Sequence, residues 1–447
     1  MTVTRVMHQR GLTLIELMVA LVIGMVLSLA MFMVMTASEG RKRTVTSVND
    51  TNQAGNYAMQ LIEQSVRSAG SGFTQAASYA FGCKLYAYQT SQSNTQILPT
   101  YNSAALPAPF ASVSEGTTGV FRLAPVLILP DQTAAATTIS GKTSDVLVVM
   151  GGAAGIGEAP TTFSTFATAT TLNLTNTVPF AANDIVLVTQ VEPDGTSSGV
   201  PDCLIDQVGT VANSTLTLSG VYHVAGTQLA ALSDNSTTMA LGNIPTSTST
   251  TSKPPQFQVI GVGGNNTLYS YDLLNTANAS TRAAVARADG VFEMHALYGI
   301  DVDCDGTISS TEWFKPTDST YSLSALMAGT VQEVQNRPAT ATARTSSCSS
   351  LTTANDFLQK ILAIRVGLIL RTSLQEKAAA TSLNDGRQTV MGTSTQSSIT
   401  LFSDIDAASS PPTTAVTYTR TLSATEQLYR YRTIEATIPI RNSMMLP

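Results

Sequence analysis

Asp301, Asp303, Asp305, Thr307, Ser309 and Glu312 stand within twelve residues, DVDCDGTISSTE. Their spacing satisfies the pattern D-x-[DN]-x-[DN]-G-x5-E, that of the twelve-residue calcium loop. A calcium ion takes six to eight oxygens, and one compact loop can gather them. Asp301, Asp303 and Asp305 would supply carboxylates. Thr307 would supply its carbonyl, Ser309 a direct or water-bridged contact, and Glu312 a two-oxygen carboxylate. Gly306 permits the sharp turn, and Ile308 would point inward to pin the loop. Without a cation, four clustered carboxylates repel one another. The flanks, HALYGI before and EWF after, do not read as a helix pair. The expectation is therefore a calcium loop between strands, with calcium as cofactor and Trp313 packed beside it.

Other chemistry is sparse. Cys83, Cys203, Cys304 and Cys348 are far apart and even in number. In an exported chain that pattern reads as disulfides. Four cysteines allow three connectivities, and Cys83–Cys203 with Cys304–Cys348 closes the shorter loops in order. His8, His223 and His295 have no spaced partners for zinc and read as surface or packing residues. The Gly-rich stretch 151–157 follows a strand but lacks both GxGxxG and the lysine of a phosphate loop. No nucleophile–base motif stands out, so an enzyme is not expected.

Composition narrows the class further. Of 447 residues only 12% are charged, about half the usual share of roughly 25%, while 43% are hydrophobic. The net charge is −6. Nucleic-acid binding is disfavoured because phosphate contacts need a concentrated basic surface. A mean hydropathy of +0.13 argues against bulk disorder. A weakly charged, Ser/Thr-rich surface fits a location outside the cytoplasm.

The N-terminus supplies the anchor. Residues 1–11 are short and basic, with Arg5 and Arg10. Leu12 to Met35 then form an apolar run with one charge, Glu16. As a helix it is long enough to cross a hydrocarbon core of about 30 Å. Secretory signals carry their small-residue cleavage site after the apolar core. Here Gly11 precedes it, so a cut there would remove the basic leader and keep the helix. A carboxylate near the start of a membrane helix is costly and usually has a partner, the alternative being that Glu16 simply sits in the headgroup zone. After cleavage the new α-amino group would lie one helical turn from Glu16. Arg41, Lys42 and Arg43 follow the span and compete with the leader arginines in setting orientation.

No proline occurs between Leu12 and Gly70, and Met59, Ile62, Val66 and Ala69 keep helical spacing. The expectation is a single spine over 12–69, about 87 Å long, stopped by Gly70-Ser71-Gly72. Gly40, the polar patch Asn49–Asn52 and Gly55 are its weak points.

The run RGLTLIEL resembles the prepilin peptidase site of type IV pilins and type II secretion pseudopilins. The resemblance implies cleavage after Gly11, methylation of the new N-terminus at Leu12, and Glu16 as the fifth mature residue. Leu12 stands where that family usually has Phe. The stretch GNYAMQLIEQSVRSAGSGF, with FGC at 81–83, is similar to the PilW family of minor pilins. So are YG-x-D-x-D-x-D-G and the late segments ILAIRVGLILRT and YRYRTIEATIPIRN. The implied fold is α+β and pilin-like, with a long N-terminal helix on a large, mostly antiparallel β-rich head. Its parts would be a leader (1–11), a transmembrane and assembly helix (12–35), the periplasmic half of that helix (36–70) and the head (73–447).

In the head, strands are expected at Val126–Leu129, Asp145–Met150, Thr171–Leu174, Ile185–Gln190, Thr215–Leu218, Phe257–Val262, Thr267–Tyr271, Val291–Tyr298, Ile361–Leu370 and Tyr431–Ile440. Few helical periods intervene, which favours antiparallel sheets. Residues 91–119, 236–256 and 373–427 read as polar loops or insertions.

The resemblance implies a minor pilin in a priming or tip complex for pilus assembly and twitching motility. Its partners would be other minor and major pilins, prepilin peptidase, the inner membrane and a tip adhesin. The leader would be cytoplasmic and the head periplasmic, then extracellular after assembly. Two alternatives stand beside it: a type II secretion pseudopilin, and an adhesin that binds a surface or macromolecule through its head loops.

Overall fold

The structure, a computed structural model, describes residues 13–73, 80–90, 95–98, 106–113, 121–130, 143–155, 159–165, 167–189, 202–223, 236–243, 253–274, 283–327, 354–375, 398–408, 416–423 and 425–444. Helix α1 (Leu14–Ser68) runs 55 residues without a break, roughly 80 Å at 1.5 Å per residue. It starts on a capping box. Thr13 Oγ1 accepts the Glu16 N–H at 3.3 Å, and Glu16 Oε2 accepts the Thr13 N–H at 3.1 Å. Two of the N–H groups that a helix start leaves without partners are thereby satisfied.

The two halves of α1 live in different surroundings. Every large apolar side chain from Leu14 to Met35 is more than half exposed. From Ala58 onward one stripe sinks into the head: Ala58, Ile62, Val66 and Ala69 are fully buried. The expected weak points do not interrupt the helix. At Gly55 the reason is packing, because a Cβ there would stand 2.0 Å from Leu370 Cδ1. The glycine lets the helix lie close to the sheet, which outweighs its poor propensity of about 1 kcal/mol. The helix ends where expected. Gly70 and Gly72 take positive φ, and the Asn442 side-chain amide donates to the Ala69 carbonyl at 2.8 Å.

Four sheets form among the described residues. The largest has eight strands: β1 (Lys84–Gln89), β2 (Thr95–Leu98), β5 (Thr161–Thr162), β6 (Thr171–Asn173), β7 (Asp184–Thr189), β8 (Asp202–Val211), β9 (Thr215–Leu218) and β10 (Thr237–Asn243). Its β1–β8 pair is parallel, with Leu85 opposite Cys203. A five-stranded sheet joins β3 (Val126–Leu129), β4 (Val146–Gly151), β11 (Gln256–Val262), β12 (Thr267–Asp272) and β13 (Val285–Asp289). A four-stranded sheet joins β14 (Val291–Ile300), β15 (Trp313–Phe314), β16 (Ile361–Arg371) and β19 (Tyr431–Pro439). A hairpin of β17 (Ser398–Leu401) and β18 (Tyr418–Thr421) covers the outer face of the last sheet, where Leu401 and Phe402 pack with Phe292 and Ile369.

Helix α1 packs on β13, β16 and β19, so the five- and four-stranded sheets share it as a spine. The two sheets are also stitched directly. Asp145 donates its N–H to the Met294 carbonyl at 2.7 Å, and its carboxylate accepts the Ala296 N–H at 2.9 Å. The main core runs from α1 through both sheets to the strands around Cys83 and Cys203.

All ten segments read as strands form strands, with ends shifted by no more than two residues. The loop readings need correction. Residues 236–256 hold β10, a strand buried over Thr237–Gly242. Its threonines read as loop residues in sequence, but the hydroxyls of Thr189 and Thr237 hydrogen-bond each other at 2.6 Å inside the sheet. The stretch 91–119 contains the edge strand β2, and 373–427 contains β17, β18 and the short helix α3 (Ser403–Ala408), which follows α2 (Leu323–Met327) in the chain. Leu401, Phe402 and Ile405 in that polar stretch are buried.

Candidate functional site

The first site is the N-terminal end of α1. Gly11 and Leu12 lie outside the described residues. Glu16 sits in the first turn, where its carboxylate takes both the Thr13 N–H and the Thr13 hydroxyl. That holds the negative charge at the positive end of the helix dipole. Beyond it the exposed apolar surface continues to Met35. Glu39 and Arg43 then pair at 3.2 Å on an exposed turn. The helix has the length and composition to cross a membrane.

The second site is the acidic loop, which lies between β14 and β15. Asp301 is buried at the end of the β14 register, its N–H bonded to the Lys360 carbonyl. Asp303 and Asp305 are exposed. Carboxylate oxygens of all three aspartates lie within 4.8 Å of one another. That spacing suits oxygens around one cation with bonds of 2.3–2.6 Å. The loop is pre-shaped by its own backbone. Asp301 Oδ1 accepts the Asp305 N–H and Oδ2 the Gly306 N–H, each at 3.0 Å. Gly306 takes φ +83°, as the turn requires. Burial pushes the Asp301 carboxyl above its ordinary range, opposed by those N–H groups and by the charge of Lys360.

The remaining expected ligands are placed differently. Thr307 donates N–H and hydroxyl to Asp305 Oδ1. Ser309 turns its hydroxyl to Thr311 at 3.0 Å. Glu312 is buried beneath the loop, where Oε1 accepts the Val302 N–H and Oε2 the Ser309 N–H. Each of those oxygens keeps a second lone-pair direction. Ile308 and Trp313 pack on the outer cluster of the four-stranded sheet.

Cys83 and Cys203 form a disulfide with Cα atoms 5.7 Å apart, joining β8 to the turn that opens β1. Cys304 is also disulfide-bonded. Cys348, the partner expected for it, lies outside the described residues.

His223 and His295, expected as surface or packing residues, are both buried against carboxylates that no sequence motif announces. His223 Nδ1 lies 3.1 Å from Asp206 Oδ1. His295 sits between two buried carboxylates, Asp145 and Glu293, at 3.6 Å from each, and its ring stacks on Tyr418. Glu293 continues the network to Arg420 at 3.4 Å, and Arg420 reaches Glu426 at 2.8 Å. One signal was present in sequence: Glu293 and His295 stand two apart, hence on one face, in a strand otherwise almost wholly apolar.

Residues 6–32 match the family model for the prokaryotic N-terminal methylation motif. Comparison with curated proteins and with solved structures gave no match. The motif and the helix together mark a type IV pilin- or pseudopilin-like protein that is processed at its N-terminus. That class engages prepilin peptidase and pilus components, and the apolar helix fits membrane anchoring before assembly.

Proposed function

We propose that this chain is a minor pilin of the PilW type, cut after Gly11 and built into a priming or tip complex. One observation carries the reading: a methylation motif opens a continuous helix whose first half is apolar and uncovered and whose second half is built into a β-rich head. In lipid, that first half is solvated by acyl chains. In a filament it would be covered by the helices of neighbouring subunits. Apolar burial is kept in both places, so transfer need not expose it to water. The α-amino group created at Leu12 would compete with Thr13 for Glu16, from the same or a neighbouring subunit, and so fix axial register. The head would set subunit order through its sides.

The loop at 301–312 is proposed to bind calcium, with Asp301, Asp303 and Asp305 as primary ligands and Glu312 closing the loop from below. Weak affinity suffices outside the cell, where such modules work in the 0.1–1 millimolar range, on the order of 10⁻⁴–10⁻³ M.

Crosslinking in living cells, followed by mass spectrometry of the attached subunits, tests the assignment. Crosslinks from the 14–46 segment to pilins support it. Crosslinks confined to type II secretion components would move the chain to that machine.

A further inference from the structure

Every large apolar side chain from Leu17 to Met35 is more than half exposed, and no charged residue interrupts that stretch. Past it the charge changes abruptly. Arg41, Lys42 and Arg43 follow one another on the same unbroken helix, and all three are exposed. Glu39 pairs with Arg43 at 3.2 Å, while among the described residues no carboxylate reaches Arg41 or Lys42. Exposed cations need no partner in water, so exposure alone says little. Their place along and around the helix says more.

Along the axis, a hydrocarbon core of about 30 Å takes about 20 helical rises. Counted from Leu17, the first residue past Glu16, those rises end at Ala37. The three cations then stand about 6–9 Å beyond the core, where the headgroup layer is about 5–8 Å deep. Side chains as long as Arg and Lys cover the difference. Around the axis, consecutive residues are about 100° apart, so the three ring the helix instead of lining one face. A protein neighbour meets one face of a helix, whereas lipid surrounds it. Basic residues past the span also oppose Arg5 and Arg10 in setting orientation, so orientation does not account for them. We infer that Arg41, Lys42 and Arg43 form a collar that binds the headgroup phosphates of anionic phospholipids in the leaflet on the head side. The collar fixes how deep the rod sits in the bilayer. Arg41 and Lys42 carry most of the attraction, because Glu39 offsets Arg43. The inference requires only that α1 cross a bilayer, not that the chain join a pilus.

The test uses the full chain reconstituted in phosphatidylcholine vesicles, with a trace of spin-labelled phosphatidylglycerol or spin-labelled phosphatidylcholine. Electron paramagnetic resonance reads the lipid held at the protein surface. Each cation near an anionic surface strengthens association by roughly five-fold. Phosphatidylglycerol should therefore be enriched over phosphatidylcholine by about two-fold or more, and high salt should erase the preference. Arg41→Gln with Lys42→Gln should remove most of it and leave the total of restricted lipid unchanged. Arg41→Lys with Lys42→Arg, which keeps both charges, should preserve it. Arg5→Gln with Arg10→Gln should leave a clear preference in place. An undiminished preference in the double glutamine variant overturns the assignment. If that variant instead loses its crosslinks to neighbouring subunits, the collar serves a protein partner. Restricted lipid with no headgroup preference removes this inference alone, whereas no restricted lipid at all removes it together with the membrane reading of α1.

Discussion

His295 is held by two carboxylates that the fold has buried with it. Burial alone would depress its pKa, but the interactions with Asp145 and Glu293 outweigh that and raise it to about 9. A raised histidine pKa stabilises the fold fully below the unfolded value of about 6.5, and the contribution disappears as pH climbs through the folded value. Chemical denaturation between pH 6 and 10 should therefore show stability falling across pH 7–9.5. His295→Asn should flatten most of that slope and leave a smaller part from His223, which Asp206 also raises. An equal slope in the variant would place the effect elsewhere. At the acidic loop, Asp301→Ala with Asp305→Ala should abolish any rise in melting temperature on adding millimolar Ca2+. A rise of the same size in the double variant would reject that site. The clustering of Asp301, Asp303 and Asp305 was legible because the three stand two apart in one short stretch of sequence. The His295 network was not, because its members are scattered over residues 145, 293, 295, 420 and 426 and meet only through sheet packing.

At the scale of elements, the two glycines in the middle of α1 separate propensity from packing. Nothing lies within 4 Å of a Cβ placed at Gly40, whereas at Gly55 one meets Leu370 and Ile434. Gly40→Ala should be neutral or stabilising by up to about 1 kcal/mol. Gly55→Val should destabilise the head by about 1–3 kcal/mol, since Leu370 is fully buried and has little room to move. Thermal melts of the two variants check the pair; equal effects would mean that the helix does not need its close approach to β16 and β19. Sequence periodicity exposed α1 and the strands with apolar runs, such as VLIL in β3 and ILAIRVGLILR in β16. It missed β8 and β10, where Asp206, Gln207, Thr237 and Thr238 are buried polar residues. Their hydrogen bonds are made across the fold, to His223 and Thr189 for example, and no local pattern announces them.

The whole molecule divides the labour between a greasy rod and a polar-surfaced head. Low charge, the disulfide Cys83–Cys203 and Ser/Thr-rich connections suit a head that works outside the cytoplasm. The rod fits membrane anchoring, because the apolar surface exposed from Leu14 to Met35 is disfavoured in water. The machine that receives the rod is written less plainly, since the methylation motif is shared by pilins and pseudopilins. The most direct measurement is mass spectrometry of the N-terminal peptide of this chain recovered from sheared filaments. The expected peptide begins at Leu12 and carries a methylated amine. Filaments free of the chain, or a chain in them that still begins at Met1, would contradict it.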